Sequence, residues 1–176
     1  AQLPRALEVL RPTFLGGVPW TFEKIRSSVE QDVGRRGTMA RRQFAWAMRL
    51  ARRVRAKERE GARVSRWLRS RYQLAEKTTL GRLREGLGGR VRFAISGAAP
   101  IRVATLELFH AAGGWKLEGD GWTETTGATH VNRPNRFRFG SVGLPLPGCE
   151  AALAEDGEIL VRGHHVMAGY HDAPEH

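Results

Sequence analysis

Cysteine is almost missing from this 176-residue chain. The lone Cys149 excludes an internal disulfide and any thiolate zinc cluster, and it fits a reducing, cytoplasmic compartment. Long apolar runs are missing too: nothing approaches the ~18 residues that a membrane-spanning helix needs. The opening Ala1-Gln2-Leu3-Pro4-Arg5 has no basic-then-apolar pattern of a secretory signal and no initiator methionine, so the expectation is a chain processed or cut from something longer. Lysine is scarce, with Lys24, Lys57, Lys77 and Lys116 against 25 arginines. Acids are scarce in one region: residues 35–92 carry 19 of the 29 basic residues and only Glu58, Glu60, Glu76 and Glu85, a net +15 against −4 for the remainder. Such a block serves either as a solvated helix face or as a contact for polyanions, anionic membrane among them.

What is present is 41% apolar residues, enough for a real core in one ordinary domain or part of a larger one. Residues 1–34 read as helix, strand, helix. The strand is the apolar run Pro12–Val18; Pro19 suits a first helical turn, and Phe22, Ile25 and Val29 follow at helical spacing. Residues 38–88 read as a helical basic segment. Ala40, Phe44, Ala47, Met48, Leu50, Ala51 and Val54 share one arc of a helix, with Arg41, Arg42, Arg49, Arg52 and Arg53 opposite. Two further helices are expected over 63–72 and 76–87, with Gly61 and Gly88-Gly89 as breaks.

From residue 90 the pattern changes. Val91–Ile95 alternates like a strand, Ser96-Gly97-Ala98-Ala99-Pro100 is a turn, Val103, Leu106 and Phe109 stripe a helix that Gly113-Gly114 ends, and Trp115-Lys116-Leu117 is a second strand. Strand, helix, strand predicts a parallel pair with a right-handed crossover. Ligands bind open α/β sheets at the carboxyl ends of such strands. There the sequence offers Ser96–Pro100 and a Gly119-Asp120-Gly121 turn followed at once by Thr123-Glu124. Glycine lets a backbone approach a ligand closely, a hydroxyl bonds a phosphate oxygen, and a carboxylate holds the magnesium that travels with phosphates. The segment past Pro134 is expected to be β-rich, with a hairpin closed by Asp156-Gly157. The fold class is therefore α/β, with one part over 1–134 and a β-rich part over 135–176. His164-His165, His171 and His176 lack the spacing of a metal set, since neighbours on a strand face opposite sides. Ser96 has no histidine partner for a hydrolase triad.

Four motifs in order carry a resemblance. They are Ser96-Gly97-Ala98-Ala99-Pro100, then Glu118-Gly119-Asp120-Gly121-Trp122-Thr123-Glu124, then Gly140-Ser141-Val142-Gly143-Leu144-Pro145-Leu146-Pro147-Gly148, then Gly157-Glu158-Ile159 through Arg162-Gly163 to Val166-Met167-Ala168-Gly169-Tyr170. The order, together with Val18-Pro19-Trp20-Thr21-Phe22-Glu23-Lys24, resembles the AMP-forming acyl-CoA synthetases and, within them, the long-chain fatty acyl group. The resemblance implies the large domain of an adenylate-forming enzyme, and as substrates and cofactors a fatty acid, ATP with Mg²⁺, and CoA. It implies that Gly97, Ala98, Ala99, Glu118, Gly119, Asp120, Gly121 and Trp122 line the adenylate, that Thr123 bonds phosphate, and that Glu124 holds the metal. The chain departs at Asp120, where the family has a tyrosine that stacks on adenine. A lysine-bearing phosphate loop upstream and a ribose motif and lysine domain downstream are also lacking, so this stretch alone is expected to be inactive. The alternatives are a catalytically defective relative and a basic module for anionic partners.

Overall fold

The computed structural model describes residues 3–111, 113, 115–134 and 136–172. Gly114 and His176 lie outside them, as do the side chains of Trp115, Lys116 and Leu117. In chain order the elements are α1 (Leu3–Leu10), β1 (Phe14–Gly17), α2 (Pro19–Arg35), α3 (Thr38–Arg59), α4 (Arg66–Ala75), a π-helical turn (Glu76–Leu80), α5 (Gly81–Gly86), β2 (Phe93–Ser96), α6 (Val103–Ala111) and β3 (Trp115–Trp122). A 3₁₀ turn (Thr123–Thr125) follows, then β4 (Gly127–Val131), β5 (Leu144–Pro145), β6 (Glu150–Leu153) and β7 (Ile159–Arg162).

The parallel crossover expected from the sequence is there. β2 pairs with β3 in parallel, Phe93 opposite Trp115 and Ser96 opposite Glu118. β1 adds a third parallel strand, Phe14 opposite Phe93, where the two rings lie 5.1 Å apart. α6 is the crossover helix. Its expected stripe does not hold at Val103, which is 45% exposed in the first turn, and the rest of α6 packs on two sides rather than one. Leu106 and Phe109 join Phe22, Ile25, Leu87, Ala94 and Ile101 in one core, whereas Leu108 and Ala111 join the Ala47, Met48, Leu50, Ala51 and Val54 stripe of α3 in another. A helix that packs against two cores needs apolar groups beyond one stripe.

The two helices expected over 63–72 and 76–87 are one run. Ser65 caps it, its Oγ accepting from the Leu68 amide at 3.3 Å, and the π turn carries it through Gly81. A π turn brings an extra residue into the coil, and Gly81 tolerates this because a Cβ there would sit 2.8 Å from the Glu76 carbonyl oxygen. Beyond residue 134 the chain is β-rich as expected: β5 extends the main sheet beside β4, and β6–β7 form a separate two-stranded ribbon. In the ribbon's turn Asp156 Oδ1 accepts from the Glu158 amide at 3.0 Å.

Candidate functional site

β3 positions the site by changing partners. Residues 115–118 pair in parallel with β2, and residues 119–122 continue past the end of β2 and pair antiparallel with β4. The expected Gly119-Asp120-Gly121 turn is therefore corrected: it is strand. The physical reason is close approach between strands. A Cβ on Gly121 would lie 1.9 Å from the Gly127 carbonyl oxygen and 2.7 Å from the Ala128 Cα, at a bulge in the β3–β4 register. On Gly119 it would lie 3.2 Å from the His130 carbonyl oxygen. Neither glycine needs a left-handed backbone. Their backbone belongs to the β3–β4 ladder, so what they offer a ligand is a flat surface.

The first motif lies beside this strand. The Gly97 amide donates to the Gly17 carbonyl at 3.4 Å, and a Cβ on Gly97 would stand 3.3 Å from the Gly119 carbonyl oxygen. Ala98 takes a left-handed backbone, φ 67°, and Ala98 and Ala99 are exposed. Ser96 is buried at the carboxyl end of β2, with no hydrogen-bond partner for Oγ among the described residues.

The third motif is tied to the second through Glu118. Its Oε2 accepts from the Gly140 amide at 3.1 Å, and its carbonyl accepts from the Asn132 amide at 2.8 Å. Asn132 is buried and organises the intervening loop. Its Oδ1 accepts from the Arg138 amide at 3.0 Å and its Nδ2 donates to the Ser141 carbonyl. Sequence reasoning missed Asn132, which stands outside every motif.

The second motif ends in the Thr123–Thr125 turn. Thr125 holds it: its buried Oγ1 accepts from the Trp122 amide at 2.9 Å and faces the Gly127 carbonyl at 2.9 Å. Thr123 is exposed, Glu124 half-exposed and Trp122 38% exposed. The fourth motif closes over this turn. The Met167 amide donates to the Glu124 carbonyl at 2.7 Å, Thr126 Oγ1 donates to the His165 carbonyl at 2.8 Å, and the Tyr170 phenol donates to Glu124 Oε1. That phenol holds the Glu124 carboxyl below the usual carboxylate range, and the carboxylate in turn raises the phenol. His164 and His165 follow β7 in a turn rather than lying on a strand as expected.

Asp120 is half-buried. It lines a cavity of about 370 Å³ with His130, Val142, Pro145, Leu153 and Ile159. A larger cavity, about 590 Å³, lies among α1, α2, α3, the π turn and α5 and includes none of the motif residues. Among the described residues no three His, Cys, Asp or Glu side chains converge as a metal cage. Glu124 fits a different arrangement, with one oxygen engaged by Tyr170 and the other without a protein partner among the described residues. Magnesium that arrives with a nucleotide keeps waters and phosphate oxygens as ligands and takes only one or two carboxylates from the protein.

Residues 1–171 match the family described as AMP-binding enzyme. The chain is 40% identical over 171 residues to a putative fatty-acid–CoA ligase, fadD11, of Mycobacterium tuberculosis, covering 96% of this chain and 30% of that protein. It is 36% identical over 167 residues to the long-chain-fatty-acid–CoA ligase FadD15 of Mycobacterium bovis, covering 93% of this chain and 27% of that protein. The chain thus spans less than a third of the length of these relatives. Among solved structures, VinN in complex with L-aspartate superposes with a TM-score of 0.59 at 23% identity over 99% of this chain and 34% of that one. A malonyl-CoA ligase with methylmalonyl-CoA and AMP bound superposes with a TM-score of 0.59 at 22% identity over 98% and 29%. These two likenesses establish a shared fold. With the ordered motifs meeting around one turn and the match running nearly end to end, the chain belongs to the AMP-binding enzyme family.

Proposed function

We propose that this chain is the adenylate-binding part of a fatty-acid–CoA ligase. The observation that supports it best is the meeting of the four motifs: Gly97 against Gly119, Gly140 on Glu118, and Met167 and Tyr170 on Glu124. In this reading Gly97, Ala98, Ala99 and the strand Glu118–Trp122 form the wall against which the adenylate lies. Thr123 offers its exposed hydroxyl to phosphate, and Glu124 Oε2 faces the nucleotide's magnesium. The metal, when bound, would neutralise phosphate charge.

The reaction needs no protein nucleophile. The fatty carboxylate attacks the α-phosphorus of ATP and pyrophosphate leaves with the electron pair of the broken P–O bond. The thiol of CoA then attacks the acyl carbonyl and AMP leaves. Positioning and charge stabilisation are what the residues supply. The segment alone is expected to be inactive by itself.

The test is Glu124→Gln in a full-length ligase carrying this segment. Loss of one metal-facing charge at a phosphoryl centre should lower ATP–pyrophosphate exchange about 10²-fold or more, with the unfolding midpoint within a few degrees of wild type. Exchange that stays near wild type would remove Glu124 from this role.

For the basic segment we propose contact with the surface of an anionic membrane. Helical spacing places Arg42, Trp46, Arg49 and Arg53 along one side of α3 and Trp67, Arg71 and Leu74 along one side of α4. Arg71 lies 4.5 Å from the Trp67 ring centroid and 5.8 Å from that of Trp46. Trp67 is 64% and Leu74 55% exposed. Arginine beside exposed tryptophan and leucine is the composition of a helix face that settles at a headgroup boundary. No helix among the described residues is long and apolar enough to cross a membrane.

A further inference from the structure

We propose that Tyr170 is the positioning residue of the Glu124 carboxylate, and that the strap from Gly163 to Tyr170 exists to aim Glu124 Oε2 at a nucleotide-borne divalent cation. The inference rests on the metal-facing reading of Glu124 given above.

Glutamate has three side-chain torsions, and a half-exposed carboxylate that must meet a cation is ordinarily spread over several rotamers. Here the spread is restricted from both ends. The main chain of Glu124 is pinned by the Met167 amide at 2.7 Å, and two residues on, Thr126 Oγ1 pins the strap through the His165 carbonyl at 2.8 Å. The Tyr170 phenol then takes Oε1 alone. The three contacts come from residues 165, 167 and 170, so one short segment reads both the backbone and the side chain of the turn. The strap has its own geometry to do this: the Val166 amide donates back to the Gly163 carbonyl at 3.2 Å. It also starts from a fixed point, because it leaves β7 directly after Arg162, whose guanidinium engages Glu150 across the ribbon.

A tyrosine suits the task better than a second acid or a base. It donates one hydrogen bond and leaves the carboxylate its negative charge and its second oxygen. A lysine or arginine at that place would compete with the cation for the same charge. The ring of Tyr170 is 49% exposed, so it does not serve as core. Groups that orient a metal ligand from the second layer typically change metal affinity by 10- to 100-fold when removed.

The experiment uses a full-length ligase carrying this segment, with Tyr170→Phe, Glu124→Gln and the double variant. Mn²⁺ is titrated by electron paramagnetic resonance in the presence of a non-hydrolysable ATP analogue, and binding of the analogue is measured separately in chelator. Tyr170→Phe should weaken Mn²⁺ by about tenfold, leave the chelator measurement and the unfolding midpoint at wild type, and add nothing to Glu124→Gln in the double variant. Mn²⁺ affinity at the wild-type value in Tyr170→Phe would overturn the proposal. So would full additivity in the double variant, or an equal loss with and without metal. If Glu124→Gln itself leaves Mn²⁺ affinity unchanged, the metal-facing reading of Glu124 fails first, and the role of Tyr170 falls with it.

Discussion

Gly121→Ala should unfold the β3–β4 junction rather than merely hinder a ligand. The added Cβ would stand 1.9 Å from the Gly127 carbonyl oxygen and 2.7 Å from the Ala128 Cα. Both are backbone atoms, so no side chain can rotate away. Raising the first distance to an ordinary contact of about 3.5 Å means moving one strand by about 1.5 Å against its neighbour, which the ladder between them resists. The ladder there pairs Gly121 with Ala128 and Trp122 with Gly127, and Gly127 also faces the buried Thr125 hydroxyl at 2.9 Å. Losing two ladder bonds at about 1 kcal/mol each, and leaving Thr125 partly unsatisfied at about 1–3 kcal/mol, gives a cost of about 3–5 kcal/mol. That is a large part of the ~5–15 kcal/mol by which a domain is stable. The controls lie on the same strands. Gly119→Ala meets its nearest backbone at 3.2 Å and should cost clearly less. Gly127→Ala meets nothing within 4 Å, and its φ of +134° leaves only conformational strain of about 1–3 kcal/mol. Urea unfolding of the four proteins ranks them. A Gly121→Ala protein as stable as wild type that loses only nucleotide binding would refute the strand-packing account and restore the glycine to a ligand-facing turn.

Three further outcomes are expected. The His110 ring, 5.2 Å and 5.7 Å from Phe137 and Phe139, is held down to about 4 by burial and then by the positive charges of Arg55 and Arg59. The unfolded chain therefore gains a proton that the folded one refuses as pH falls from about 6.5 to 4, and stability should drop in that window by about 1–2 kcal/mol after solvent screening; a His110→Phe protein with the same slope of unfolding free energy against pH removes His110 as its source. Vesicles containing phosphatidylserine should retain the protein in cosedimentation at low salt, and Arg49→Glu with Arg53→Glu should weaken this by about tenfold or more; equal binding to neutral vesicles, or sequence-selective DNA binding at physiological salt, would sink the membrane reading. Asp120→Tyr in a full-length ligase should tighten an adenylate analogue by about 1–3 kcal/mol through stacking, and unchanged or weaker affinity at both low and high salt would reject a stacking deficit at Asp120.

The sequence made β2, α6 and the parallel half of β3 legible, since apolar periodicity changes from two to helical and back between Val91 and Leu117. It also marked the β6–β7 hairpin through Asp156-Gly157. It misled at Gly119 and Gly121, because a glycine needed for close strand contact has the same local signature as one needed for a turn. What decides between them is β4, whose first residue, Gly127, is the one that approaches Gly121. The π turn was hidden too: by sequence Gly81 lies inside an ordinary helix, and only the Glu76 carbonyl lying against it reveals the wider coil. The tie between Tyr170 and Glu124 spans 46 residues and has no local pattern at all, although both residues stand in motifs that were visible.

The change of partner along β3 explains why one short turn can gather distant motifs. An ordinary parallel strand ends level with its neighbours, as Gly17, Ser96 and Glu118 do here. β3 runs four residues further, about 13 Å at ~3.3 Å per residue, because β4 supplies the hydrogen bonds that β2 no longer can. Thr123 and Glu124 are thereby carried past the carboxyl edge of the sheet while the Gly97–Ala99 turn stays at it. That offset gives the proposed ligand two stations on one strand, a flat glycine wall near the sheet edge for the ring and a hydroxyl and carboxylate beyond it for the phosphates. The extension would be a frayed end without cover, and the cover comes from Thr125 within the turn and from Met167 and Tyr170 above it. The segment after β7 is therefore as much a part of the site as the strand that bears it. Weakening the strap should loosen Glu124 before it disturbs Gly97, Glu118 or the core beneath them.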